Sequence, residues 1–237
     1  MIPVFALHPM LASGAIWRGV AARLDRPLIA PDLPGHGRAP EATGDYFAAA
    51  VTTAREALPD GPVHLLGHSF GGVVALALLA GGVRPASVTL VEPVLFAAAG
   101  PVLRDAHRAE MAPFDIALRD GEPEAAARHF HGLWGEGTWD DLPPRTRAGL
   151  AAGTHRIAAT AGALMDDTAG ILDGLPVDPP PVMIVTRASP PPLVAGIADG
   201  LADRLPRARV ARLGRGHMMP LTDPEALAGA LTTFWGG

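Results

Sequence analysis

The sequence contains no cysteine and no lysine. The first absence excludes disulfides, thiolate metal sites and a cysteine nucleophile. The second leaves arginine as the basic side chain throughout. Together with the heavy use of Ala, Gly and Pro, it reads as genomic base bias rather than function. Charge is sparse as well: 18% of residues are charged and the formal net charge is −5. No dense basic cluster marks a nucleic-acid partner. No apolar run has the length of a membrane span, since Val73–Ala80 is bounded by glycine pairs. The first residues, Met1-Ile2-Pro3-Val4-Phe5, lack the basic segment and cleavable apolar stretch of a signal peptide, so a cytoplasmic location is expected. What the chain has is apolar material. Hydrophobic residues make up 49% of 237, enough for the core of one domain, or of one domain carrying a sizeable insertion.

Short β-branched runs alternate with longer Ala/Leu-rich segments, which predicts βαβ units and an α/β fold: a doubly wound, mostly parallel sheet of about six strands. The predicted strands are Pro3–His8, Pro27–Ala30, Val63–Gly67, Ser87–Glu92, Val182–Thr186 and Ala208–Leu213. They read as continuously apolar, as strands buried on both faces do. Helices are predicted over Ala15–Leu24, Asp45–Leu58, Phe70–Ala80, Pro192–Leu205 and Pro224–Phe234. Residues 97–181 break this rhythm. They show no convincing strand and carry helical stretches at Glu122–Leu133 and Arg145–Leu164. The expected organisation is a core of residues 1–96 and 182–237 with a helical cap, 97–181, over the C-terminal strand ends, where such sheets bind ligands. Ordinary helix packing on the sheet is the alternative.

Gly67-His68-Ser69-Phe70-Gly71 matches G-x-S-x-G, preceded by Val63-His64-Leu65-Leu66 and followed by an apolar helix. In that setting the motif is a nucleophile elbow, a strained strand-to-helix turn that exposes the serine hydroxyl. Glycine is needed because side chains two residues to either side of the serine would collide with backbone. The helix starting at Phe70 aims its positive end at an anion forming on Ser69.

With these residues the chain resembles the α/β-hydrolases. Four segments carry the resemblance in order: Leu7-His8-Pro9-Met10-Leu11-Ala12-Ser13-Gly14-Ala15-Ile16-Trp17, Asp32-Leu33-Pro34-Gly35-His36-Gly37-Arg38, the elbow, and Gly216-His217-Met218-Met219-Pro220. The resemblance implies that the chain starts on the family's third strand, with a shortened sheet. It also implies Ser69 as nucleophile and His217, in a Gly-flanked loop after the last strand, as general base. His68 is expected to pack or hydrogen-bond locally, and His36 to sit in a structural turn. His107, His129, His131 and His155 are expected at the surface or lining a pocket. Oxyanion donors would be the backbone N–H groups of Phe70 and Met10. Pro9 stands where the family usually has glycine, but it leaves the Met10 N–H available.

The triad acid is the irregular member. The family usually places an Asp after the penultimate strand, whereas here Arg187-Ala188-Ser189-Pro190-Pro191-Pro192 follows and offers no carboxylate. Glu92, at the end of the strand after the elbow helix, is the expected replacement, as in some branches of the superfamily. The alternative is that it caps a turn or supports loop backbone. Asp199 and Asp203 fall inside a helix and are poorer candidates.

A serine at the elbow argues against the dehalogenase and epoxide hydrolase chemistries that need a carboxylate there. The expected activity is a carboxylesterase acting on a small or medium apolar acyl substrate through an acyl-enzyme, without cofactor or metal. Thioester or C–C hydrolysis on the same triad is the alternative. A binding protein with a degenerate site is the rival from another class. Leu11, Leu95, Phe96, Trp134, Trp139 and Met218 are candidate pocket residues, each of which could equally be core. The expected partner is a small-molecule substrate, with neither nucleic acid nor membrane, and the oligomeric state is left open.

Overall fold

The computed structural model describes residues 1–236. The apolar runs form six strands: β1 (Val4–Leu7), β2 (Leu28–Ile29), β3 (His64–His68), β4 (Ser87–Val91), β5 (Val182–Thr186) and β6 (Arg209–Arg212). Around them lie α1 (Arg18–Ala21), α2 (Tyr46–Glu56), α3 (Phe70–Ala80), α4 (Pro101–Arg119), α5 (Pro123–Trp134), α6 (Pro144–Met165), α7 (Ile171–Gly174), α8 (Pro192–Arg204), α9 (Met219–Thr222) and α10 (Pro224–Gly236).

Every strand pair is parallel, in the order β2-β1-β3-β4-β5-β6. The chain winds outward from β1 to β2, then returns to the other side of β1 with β3. Connections therefore leave β1 and β3 in opposite directions, and a crevice opens at their C-terminal ends. Ser69 follows β3 directly and Met10 follows β1, so both begin at that crevice.

Alternation along each strand divides the apolar side chains between two cores. On one face Phe5, Leu7, Leu65, Leu90 and Ile184 pack with Phe47 of α2, Val74 of α3 and Leu201 of α8. On the other face Val4, Ala6, Leu66, Val91 and Val185 pack with Trp17 and with Leu227 and Leu231 of α10. Both faces being covered, β1, β3, β4 and β5 are buried at every position, and β3 and β4 carry His64, His68, Ser87 and Thr89 among their buried side chains.

Three expectations need correction. β2 and β6 are edge strands with half-exposed or exposed side chains, not strands buried on both faces. Arg209 and Arg212 charge the β6 edge, a device that discourages further strand pairing. The first predicted helix shrinks to a 3-10 turn over Gly14–Trp17 followed by the single turn α1. Between β4 and β5 the longest unexpected element is α4, whose 19 residues include Pro113. A mid-helix proline removes one ladder hydrogen bond, which hides such a helix from a sequence reading. α4 persists because His107 and Phe114, seven residues apart, form a buried face against its neighbours α5 and α6.

Candidate active site

Ser69 occupies the turn between β3 and α3 with φ 54° and ψ −118°. A non-glycine residue in that region carries backbone strain of about 1–3 kcal/mol, which the surroundings must impose. Here the turn is pinned from both sides. Ser69 N–H donates to the Val91 carbonyl at 2.9 Å, and its own carbonyl accepts from Gly72 N–H at 2.9 Å. A Cβ on Gly67 would collide with the Gly71 carbonyl, and one on Gly71 with the Leu7 carbonyl. Close backbone approach, not flexibility alone, is why both positions are glycine.

The His217 imidazole donates from Nδ1 to Glu92 Oε2 at 2.9 Å. Nδ1 therefore holds the proton of the neutral ring, and Nε2 is left as an open acceptor. Among the described residues, no hydrogen bond joins Nε2 to Ser69 Oγ. Such catalytic contacts commonly tighten only when substrate is bound. The loop of His217 is held at three points. Buried His68 donates from Nε2 to the His217 carbonyl at 2.9 Å, Glu136 Oε1 accepts from Met218 N–H at 3.2 Å, and the Trp134 ring packs edge-on with its centroid 4.9 Å from the imidazole. His68 thus bonds across the fold rather than locally, a correction to the expectation from its neighbours in sequence.

Glu92 lies immediately after β4 with φ 42°, and its side chain is wholly buried. Besides His217 it accepts from Arg187, whose backbone N–H reaches Oε1 at 2.7 Å, Nε reaches Oε1 at 3.0 Å, and Nη2 reaches Oε2 at 2.6 Å. Burial alone would raise the carboxyl pKa. The hydrogen bonds from His217 and Arg187 outweigh that effect and hold it at about 2, so Glu92 is ionised.

Met10 and Phe70 line the cavity beside Ser69 and each brings a backbone donor. Among the described residues the N–H groups of Met10 and Phe70 have no acceptor, whereas Leu11 N–H is bonded to His36 Nε2 at 3.0 Å and Ala12 N–H to the Pro9 carbonyl at 3.3 Å. The Met10 loop is shaped by two neutral histidines. His8 accepts from Leu33 N–H at Nε2 and donates from Nδ1 to the Pro9 carbonyl; burial depresses its pKa to about 4. Burial also lowers the pKa of His36, whose Nδ1 donates to the Pro34 carbonyl at 2.9 Å.

A cavity of about 110 Å³ opens on Ser69, walled by Met10, Phe70, Phe96, His107, Trp134 and residues of α6. Of the expected pocket residues, Phe96 and Trp134 line it. Leu11, Leu95, Trp139 and Met218 do not. Leu95 is fully buried in the sheet–helix core, in the same apolar cluster as its neighbour Phe96, which alone of the two reaches the cavity. Trp139 packs against His131, Leu11 lies against Gly153 of α6, and Met218 packs on the second core.

The sequence reading missed Arg187 and Glu136. Arg187 follows β5, and its link to Glu92 comes from the pairing of β5 with β4, in which Val185 sits opposite Val91. The strand ends therefore bring Arg187 to Glu92. Among the described residues no three His, Asp or Glu side chains cluster as a metal site requires. No described helix is long and apolar enough to cross a membrane.

Residues 4–230 match the family model described as "Alpha/beta hydrolase family". A stretch of 140 residues is 36% identical to Lipase LipV of Mycobacterium tuberculosis, covering 56% of this chain and 51% of the lipase, so the match spans about half of that relative's length. Among solved structures, a hydrolase from Pseudomonas aeruginosa superposes with a TM-score of 0.76 at 23% identity, covering 100% of this chain and 91% of that one. A haloalkane dehalogenase loop variant from Bradyrhizobium elkanii gives 0.73 at 19% identity, covering 100% and 89%. At these identities the likeness to solved structures is one of fold.

Proposed function

The chain belongs to the alpha/beta hydrolase family, and from that premise we propose that it is a serine carboxylesterase for small or medium apolar acyl groups. The observation that carries this reading is the convergence at one crevice of Ser69, the His217–Glu92 pair and the free N–H groups of Met10 and Phe70. Ser69 Oγ attacks the ester carbonyl while His217 Nε2 takes its proton. The Met10 and Phe70 N–H groups and the N-terminus of α3 stabilise the oxyanion. Glu92 holds the Nδ1–H tautomer and stabilises the imidazolium. His217 returns the proton to the leaving alkoxide as the C–O bond breaks. Water, deprotonated by the same imidazole, then cleaves the acyl-enzyme and releases the carboxylic acid.

Residues 97–181 act as a cap in this scheme, because α4, α5 and α6 supply most of the wall of an apolar cavity whose size suits a short acyl chain. The name of the LipV relative points the same way, toward esters. The rival reading as a degenerate binding protein rested on the missing carboxylate after β5. The Glu92–His217 hydrogen bond supports the enzyme reading over it.

The test is labelling with a fluorophosphonate probe alongside hydrolysis of short p-nitrophenyl esters. Native protein becomes labelled at Ser69 and turns the esters over, and Ser69→Ala does neither. A folded native protein that is unlabelled and inactive overturns the reading.

A further inference from the structure

Two polar groups at the cavity wall, Thr160 and Arg108, are already committed. Thr160 Oγ1 donates to the Ile157 carbonyl at 2.9 Å, and Arg108 pairs with Asp166 at 2.7 Å, both side chains of that pair being half exposed. Two deeper groups are different. His107 is 2% exposed and Trp134 8%, and both side chains line the cavity at Ser69. The His107 ring is clamped between Phe96, with centroids 4.4 Å apart, and the edge-on Trp134, at 5.5 Å. Its Nδ1 bonds to Glu110 Oε2 at 3.1 Å. A carboxylate only accepts, so Nδ1 carries the proton and Nε2 presents a bare lone pair. Burial lowers the pKa of His107, which keeps the ring neutral at pH 7. Neither His107 Nε2 nor Trp134 Nε1–H has a hydrogen-bond partner among the described residues. Neither is sealed inside packed protein, since the two side chains also border a second cavity of about 450 Å³ on the side of Arg187.

An acceptor and a donor left without protein partners at an apolar wall are free to pair with polar groups of a ligand. A wall built only to hold an alkyl chain would use phenylalanine or leucine at these places. We propose that His107 and Trp134 form a subsite for a hydroxyl group on the substrate, the hydroxyl donating to His107 Nε2 and accepting from Trp134 Nε1–H. The proposal rests on the esterase reading and narrows its substrate class to apolar esters that carry a hydroxyl remote from the scissile bond. Glu110 then acts through His107: it fixes the tautomer that accepts.

The experiment compares p-nitrophenyl esters of straight acyl chains with counterparts hydroxylated at successive carbons, in wild type, His107→Phe and Trp134→Phe. The readout is the ratio of kcat/KM for each hydroxylated ester to that of its alkyl parent, which cancels general losses of activity. In wild type the ratio rises to roughly tenfold at one chain position. In His107→Phe it falls to one or below at that position, and Trp134→Phe lies between. A wild-type ratio of one or below at every position overturns the subsite, as does a preference that survives in His107→Phe. Ser69→Ala, with its native His107, supplies the same comparison as binding constants and needs no variant of the wall. Protein that hydrolyses neither series fails the esterase reading. The binding constants still decide the subsite.

Discussion

Arg187 and His217 donate to the same oxygen of one buried carboxylate: Glu92 Oε2 lies 2.6 Å from Nη2 and 2.9 Å from Nδ1. The acid that orients the imidazole is thus itself oriented by a guanidinium that leaves the neighbouring strand.

Glu92→Gln removes the charge while keeping the side chain's shape. kcat for ester hydrolysis falls by on the order of 10³–10⁴, as losing the acid's control of the imidazole tautomer does in serine hydrolases, with KM within a few-fold. Arg187 loses its anion, so stability drops by about 3–5 kcal/mol. Steady-state kinetics and urea unfolding check both effects. A fully active Glu92→Gln protein would refute the assignment of the acid.

Arg187→Met keeps the bulk of the side chain but removes its donors and its charge. Glu92 then loses the Nε and Nη2 bonds that fix its carboxylate plane. The expected result is a kcat lower by roughly ten- to a hundredfold at little-changed KM, with Arg187→Lys recovering only part because an ammonium cannot form the paired contacts. Equal activity in all three proteins would show that Arg187 merely fills space.

Ser69→Gly and Ser69→Ala both abolish ester turnover, but their stabilities differ. Alanine keeps the strain of φ 54°, whereas glycine relieves it. Ser69→Gly is expected to exceed Ser69→Ala by about 1 kcal/mol in unfolding free energy. Thermal denaturation of the pair measures this, and identical Tm values would mean that the elbow stores no strain.

Acidification destabilises the protein well above the carboxylate range. His8 has a folded pKa of about 4 against an ordinary value of 6.5, so between these values the unfolded chain binds more protons and gains as pH falls. His8 alone costs about 2 kcal/mol at pH 5 relative to neutral pH. His36, His68 and His107 shift in the same direction, each chiefly through burial. Glu92 has the lowered pKa of a paired carboxylate, so its contribution is present above 4.5 and is lost as pH falls toward about 2. Urea midpoints at pH 7.5, 6 and 5 should decline steadily. A flat profile down to pH 5 would contradict the neutral, buried state of these histidines.

The local pattern was sufficient for the elbow and for the parallel sheet. Strand–turn–helix geometry is written within about ten residues around Ser69, and burial of both sheet faces leaves predominantly apolar runs in β1 and β5. Glu92 was legible as a candidate because a carboxylate ending a central parallel strand has few places to go. Distant pairings were not legible. Nothing near Arg187 in the sequence announces Glu92, 95 residues away, and nothing near His68 announces the His217 carbonyl, 149 residues away. Pocket residues were confused with core for the same reason: Leu95 and Phe96 are adjacent in the chain and share one apolar cluster, yet only Phe96 reaches the cavity. Sequence by itself determined the turn that strains Ser69, because sterics and helix initiation act over a few residues. The partner of Glu92 and the polar atoms left open in the cavity were decided by which strand and helix ends meet in space.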